Sequence, residues 1–385
     1  MICNSLYWPQ ALGGAEISVR KLAEGFAARG HAVTVINIGE EPAEYEKNGV
    51  DIVTLGHNNR FWVNDCRRHN VAEKVLWRLG DMYNRAQEKA LRAIIGSRKP
   101  DVIHTNCISG FSVSVWNAAH REDVPLVHTL REYYLMCRRS TMYSKKRGRH
   151  ERQDLLCRLY TMNRKRHSHK VHHVAGVSDF ILRRHIQAGY FKNSAQSVVF
   201  NPLPVFKSAD VPARGAMRFA FVGRLVHSKG IETLIDAFNG REETLYVFGR
   251  GEESYVELLK KRAVSDNIRF MGYTDKNVIY SEYCDVLAMP VLWDEPYGGI
   301  FLDARSAGKY VIATENGGNT EVLCGYDKCE YTDGTARDMV RILDGIAASP
   351  GKVFAESDLR TAGLRDENSV LDAYEEIYET VANKR

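Results

Sequence analysis

Two hydrophobic periods alternate along the first half of the chain. AEISVRKLAEGFAARG carries Val19, Leu22, Ala23 and Phe26 at the i, i+3, i+4, i+7 spacing of a buried helix face, and Gly30 stands where a cap would end it. AVTVINI (32–38) is an apolar β-branched run too short for a helix, and it reads as a buried parallel strand. Residues 71–95 give a second helical period, with Val75, Leu79, Met82, Ala86 and Ala90 on one side. DVIHT (101–105), PLVHTL (125–130) and HHVAGVS (172–178) read as strands, followed by a helix at FILRRHIQAG and an extended run at SVVFNP. MICNSLYW offers only a short first strand. At 201–217 the composition shifts, with three of the ten prolines and no periodicity, which marks an interdomain linker. The pattern then restarts with FAFVG (219–223), a helix at GIETLIDAF, LYVFG (245–249), a helix at 252–264, NIRFMG, a helix near 275–282, DVLAMP (285–290), a helix at 299–307 and YVIAT (310–314). An amphipathic helix, SVLDAYEEIYETVANK, follows. Repeated strand–helix units with continuously apolar strands imply a parallel sheet covered on both faces, and two such runs imply two doubly wound α/β domains.

Composition narrows the picture without changing it. A chain of 385 residues, 44% hydrophobic and 26% charged, is ordinary soluble globular material. No uncharged apolar run approaches the roughly 18 residues of a membrane span. The start of the chain lacks the basic and apolar regions of a secretory signal. Eight cysteines at 3, 66, 107, 137, 157, 284, 324 and 329 are sparse and irregular, which predicts reduced thiols in a cytoplasmic protein.

Charge adds one feature. The net charge is +5, yet residues 138–173 alone hold twelve Lys or Arg against Glu151 and Asp154, a local +10. This stretch is either an anion-facing surface, for a phosphorylated acceptor, an anionic lipid or a nucleic acid, or a solvated charged helix–loop–helix. It also carries His167, His169, His172 and His173, but no Cys or acid lies at a ligand spacing, so no metal is expected. Cys324 and Cys329 have no second pair and read as plain thiols.

Ligands of doubly wound sheets sit at the carboxyl ends of the strands. The loop after FAFVG reads GRLVHSKG, with Arg224 and Lys229 between a strand end and a helix N-terminus; two cations, free N–H groups and the helix dipole suit a diphosphate. The loop after DVLAMP reads VLWDEPYGG and runs into IFLDARSAG. There Glu295, the Gly298-Gly299 pair and Asp303 combine acceptors and donors for a polyhydroxylated ligand. NGGNTE (316–321) and FGRG (248–251) are further glycine-rich loops, but Ser254 breaks GxGxxG, which disfavours a dinucleotide oxidoreductase.

The set GGAE, GRLVHSKG, IRFMGY and EPYGGIFLDARSAGKYVIATENGGNTE resembles the retaining glycosyltransferases of family 4, and HTLREYYLMC (128–137) resembles a segment of members that build bacterial capsule or O-antigen polysaccharide. The resemblance covers almost the whole chain. It implies the GT-B fold, two Rossmann-like domains facing a central cleft: an acceptor-side domain (1–203), a nucleotide-sugar domain (204–365) and a terminal helix (366–385) crossing back. It implies that Arg224 and Lys229 bind the donor diphosphate, and that Glu295 contacts the hydroxyls of the sugar. Tyr297, Gly298 and Gly299 would line the pocket, with backbone amides at Ile300 and Phe301 meeting oxygens. Asp303 would hold the ribose, Gly249 would lie on the donor side, and Gly13 and Gly14 would approach the diphosphate from the other domain. No cofactor or metal is implied; the nucleotide sugar is a substrate. Four positions depart from the family pattern. Asp303 stands for a second glutamate, Lys309 for a proline, and Arg131-Glu132 for a His-Asp pair, which leaves these two and His128 as acceptor-side candidates; His128 also reads as a satisfied strand histidine.

The expected activity is transfer of a sugar, with retention, from a UDP- or GDP-sugar to a glycan or polyprenyl-diphosphate-linked acceptor in bacterial surface polysaccharide synthesis. Peripheral association with an anionic inner membrane face through 138–173 is expected with it. A nucleotide-sugar epimerase of the same fold is the alternative, and a nucleic-acid-binding protein is a more distant one; no nucleic-acid partner is expected.

Overall fold

Strand β1 (Ile2–Cys3) is two residues long, yet it lies inside an eight-stranded sheet, hydrogen-bonded to a neighbour on each side. The computed structural model describes residues 1–10, 13–62, 65, 68–206, 217–355 and 364–383. Asn4 and Ser5 continue the ladder from β1 by donating N–H to Ile36 O (3.1 Å) and Cys107 O (2.7 Å). Helix α1 (Gly14–Ala28) follows and buries Val19, Leu22, Ala23 and Phe26; the chain leaves it through Gly30 at φ +89°. Then come β2 (Val33–Gly39), buried throughout, and the hairpin β3 (Ala43–Lys47) and β4 (Val50–Gly56), turned by Asn48-Gly49, both at positive φ.

The single helical period read over 71–95 is two helices, α2 (Val71–Gly80) and α3 (Arg85–Arg98). Two asparagines make the break. Asn70 caps α2 in a capping box with Glu73, and Asn84 caps α3 by accepting the Gln87 N–H (3.1 Å). The apolar side is also reassigned: α2 buries Trp77 and leaves Val75 and Leu79 exposed, while α3 buries Gln87, Glu88, Leu91 and Ile95 rather than Ala86 and Ala90. The walk continues through β5 (Ile103–Thr105), α4 (Ser114–Arg121), β6 (Leu126–Leu130), a small hairpin β7 (Tyr143–Ser144) and β8 (Gly148–Arg149), α5 (Leu155–His167), β9 (His173–Gly176), α6 (Asp179–Gln187) and β10 (Ala195–Val198). The sheet order is β10-β9-β6-β5-β1-β2-β4-β3, parallel except for β3 against β4.

The second sheet has six parallel strands in the order β13-β12-β11-β14-β15-β16, namely β11 (Arg218–Val222), β12 (Thr244–Phe248), β13 (Ile268–Gly272), β14 (Val286–Met289), β15 (Tyr310–Thr314) and β16 (Cys329–Thr332). Helices α7 (Ile231–Phe238), α8 (Glu253–Arg262), α9 (Lys276–Val278), α10 (Gly299–Ser306), α11 (Asn319–Leu323), α12 (Ala336–Ala348) and α13 (Gly351–Phe354) alternate with them. The segment expected as a helix near 275–282 is the short α9 running into a π-helical turn, Ile279–Tyr283. Each strand order reverses around one central strand, which makes both sheets doubly wound.

The last helix, α14 (Glu367–Ala382), packs Val370, Leu371, Tyr374, Ile377 and Val381 into the core formed by α1, β1, β2 and β4. Arg29 pairs there with Asp372 (2.7 Å) and Glu375 (2.8 Å). The first unit is thus 1–142, 151–201 and 367–385; the second is 143–150 and 202–366. Residues 143–150, expected in the first domain, belong to the second unit. Of the expected linker, 207–216 lie outside the described residues, as does Cys66; the other seven cysteines are free thiols.

Candidate functional site

Three loops of the second unit meet around one carboxylate. The loop after β11 passes through a single 3-10 turn, His227–Lys229, and enters α7 at Gly230 (φ +74°). A Cβ on Gly230 would lie 1.9 Å from Pro290 O, so only glycine lets this loop cross the end of β14. Leu292 N–H donates to Ser228 O (2.9 Å) and fastens the two loops together. The result brings Lys229 onto Glu295: Lys229 Nζ pairs with Glu295 Oε1, and Trp293 Nε1–H donates to the same oxygen at 3.0 Å. The third loop, after β15, supports Glu295 from behind. Gly318 N–H donates to Glu295 O (2.7 Å), and a Cβ on Gly317 would stand 2.4 Å from that oxygen.

Helix α10 opens beside this group. Gly298 precedes it at φ +77°, with Asn319 Oδ1 2.4 Å from where a Cβ would be. Phe301 N–H turns back onto Gly298 O (2.9 Å), so of the two amides expected to face a ligand only that of Ile300, together with Gly299, lacks an acceptor among the described residues. Tyr297 is buried, and burial raises its phenol above the ordinary range. One turn on, Asp303 is buried and ion-paired with Lys276 of α9. Arg224 is exposed and has no acceptor among the described residues. Gly249, at φ +136°, would put a Cβ 1.8 Å from Gly223 O; its glycine is required by two strand-end loops in contact.

The basic stretch is divided. Its hairpin lies on the loops just described: Arg149 pairs with Asp294 (3.4 Å), Lys145 stands 3.9 Å from Glu232, and the Tyr143 ring centroid is 6.2 Å from that of His227. Its helix α5 belongs to the first unit. The four histidines bind separate groups: His167 meets Asn163 O, His169 meets Arg166 O, His172 accepts the Leu126 N–H, and His173 meets Ser197.

In the first unit, Gly13 precedes α1 and Gly14 opens it, both at the carboxyl end of β1. Arg131, after β6, donates to Asn106 Oδ1 and Asn201 Oδ1, each at 2.8 Å. Glu132 is pushed up to about 7, first by burial and then by the Glu16 carboxylate at the start of α1. His128 is packed between Trp116 and Phe191 with Nδ1 on Thr105 Oγ1 (2.9 Å), and burial depresses it to about 3. It is a neutral strand residue. Trp293, Lys276 and Glu16 were not singled out in the sequence. Trp293 lies two residues before Glu295 in the same loop, and Glu16 lies in the GGAE run, so their positions were available; the pairing of Lys276 with Asp303 depends on the fold.

Two doubly wound units with ligand-type loops at the strand ends have the architecture of the GT-B fold. The described structure aligns over 98% of its length, and 98% of the other chain, with HepE of Anabaena in complex with UDP and glucose (TM-score 0.72, 16% identity). It aligns over 100%, and 99% of the other chain, with sucrose-phosphate synthase of Thermosynechococcus elongatus (TM-score 0.75, 17% identity). The description of glycosyltransferase family 4 matches residues 12–204 and that of the group 1 glycosyl transferases matches 211–343. An uncharacterized 42.6 kDa protein from the cps region of Klebsiella pneumoniae is 32% identical over 84% of this chain and 86% of its own. An uncharacterized glycosyltransferase of Methanocaldococcus jannaschii is 26% identical over 82% and 80%. The chain belongs to glycosyltransferase family 4, and it is a glycosyltransferase.

Proposed function

We propose that the protein transfers a sugar, with retention of anomeric configuration, from a UDP- or GDP-sugar to a glycan or polyprenyl-diphosphate-linked acceptor in surface polysaccharide synthesis, working at the inner face of the cytoplasmic membrane. The observation that carries this is the contact of Lys229 with Glu295 beside Trp293, at the ends of strands whose loops also present Arg224 and the start of α10. Lys229 pairs with Glu295 and is itself placed to reach a diphosphate; Arg224 projects into solvent from the same loop. Charge-assisted hydrogen bonds of this kind contribute roughly 1.5–3 kcal/mol each, so two cations would carry much of the leaving-group stabilisation. Glu295 would accept sugar hydroxyls, the Ile300 amide would donate to an oxygen, and Asp303, oriented by Lys276, would take the ribose. The UDP bound to HepE and the cps location of the Klebsiella relative support the donor class and the pathway. The hairpin cations Lys145 and Arg149 extend the positive field over the same loops.

Arg224→Ala tests the assignment cleanly, because Arg224 has no side-chain partner to lose among the described residues. Donor affinity and transfer should fall together, by roughly tenfold or more, with the melting temperature unchanged. Wild-type donor binding in this variant would remove Arg224 from the site, and failure of every nucleotide sugar to raise the melting temperature of the wild type would remove the function.

A further inference from the structure

Two helices of the first unit turn their apolar sides outward. Helix α5 faces its core with Cys157, Thr161 and Arg164. On the opposite side Leu155, Leu159 and Met162 fall at i, i+4 and i+7, and they are 70%, 56% and 64% exposed. Helix α2 does the same: Trp77 is its buried contact, while Val71, Val75 and Leu79 at i, i+4 and i+8 face solvent, Val71 at 77%. Single exposed leucines are ordinary, but a regular outward stripe on two helices is not. Helix α5 meets the turn that leaves α2. Asn163 Nδ2 donates to Met82 O (2.9 Å), Arg164 pairs with Asp81 (3.1 Å), and the Tyr83 ring lies 5.7 Å from that of His167. Cations border the stripes: Arg158 and Arg166 are exposed on α5, whose sequence holds no acid, and α2 adds Lys74 and Arg78 against Glu73.

We propose that α2 and α5 dock the first unit on an anionic bilayer, with Leu155, Leu159, Met162, Val75 and Leu79 inserted below the headgroups and the neighbouring arginines and lysines on lipid phosphates. Charge complementarity selects this occupant, since an apolar stripe bordered by cations is the pattern of a helix lying in a membrane interface. The docking deepens the location proposed above by naming the face, and it does not depend on the sugar chemistry.

The full chain should co-sediment with vesicles of phosphatidylglycerol and phosphatidylethanolamine, and much less with phosphatidylcholine alone. Leu155→Ser/Leu159→Ser/Met162→Ser should lower partition at least about tenfold, equivalent to ~1.4 kcal/mol. Val75→Ser/Leu79→Ser, on the other helix, should lower it several-fold and serves if the first variant does not fold. Arg158→Glu/Arg166→Glu should weaken binding and flatten its salt dependence. Nucleotide-sugar thermal shifts should be unchanged in all three, which separates this proposal from the activity. Absence of wild-type binding to anionic vesicles, unaltered binding of both serine variants, or a solution dimer dissolved by those substitutions would overturn it.

Discussion

Replacing Lys229 by Met should damage the second unit before any substrate is added. The Lys229 and Glu295 side chains are 14% and 11% exposed, so the pair is largely removed from water. Breaking a fully buried pair by deleting one partner costs about 3–5 kcal/mol, because the remaining charge stays desolvated. Here Trp293 Nε1–H still donates to Glu295, and the remaining exposure admits some water, which reduces the expected loss to about 2 kcal/mol. Lys229→Met/Glu295→Gln should recover most of it, since a neutral amide accepts the same Trp293 bond. The four proteins of the cycle are compared by urea unfolding, with hydrogen exchange of peptides over 286–323 assigning the transition to the second unit. A coupling energy of about 1–2 kcal/mol is expected. Transfer should fall at least about a hundredfold in all three variants, including the one with restored stability. Additive losses, with coupling below about 0.5 kcal/mol, would refute the pairing as the element that orders this site.

Three other outcomes follow from the geometry. Gly230→Ala, which forces a Cβ onto Pro290 O at positive φ, should cost several kcal/mol and abolish donor-induced stabilisation; calorimetry with and without UDP checks both. Glu132 binds its proton more tightly folded than unfolded, so its contribution is complete below pH 4.5 and is lost as pH rises to about 7. Glu132→Gln should therefore gain about 1–3 kcal/mol over the wild type above pH 7 and little at pH 4, read from paired melts across pH. Leu371→Ala, in α14, should destabilise the first unit by about 2–5 kcal/mol, and Gly25→Ala should partly relieve the loss, since the new methyl enters the space now filled by Leu371 Cδ1, 2.7 Å from that position.

The strands and the loops after them were legible because buried parallel strands are apolar throughout, and strand-end loops are where such folds bind ligands. What the period could not give was direction. In α2 the spacing of Val75 and Leu79 is that of an apolar helix face, and a sequence cannot say whether protein or some other surface covers it. The β3–β4 hairpin was missed although Asn48-Gly49 is a strong turn signal, because β3 is mostly exposed and lacks an apolar run. For the site, residue types at strand ends pointed to Lys229 and Glu295, but the contact between them depends on Gly230 and Leu292 tying two loops 66 residues apart in sequence. The amide of Phe301 shows the reverse limit: a helix start promises free donors, and the first turn of α10 uses one of them internally.

The first unit draws its final layer of core from residues 370–381, after the second unit has been spelled out in full. On a ribosome adding about 5–20 residues per second, the polypeptide up to residue 201 therefore waits on the order of ten seconds or more before Tyr374 and its neighbours emerge. Throughout that interval α1 and β2 lack their cover, so the nascent amino-terminal half is the part that chaperones would be expected to hold, while the later-made half can already be complete.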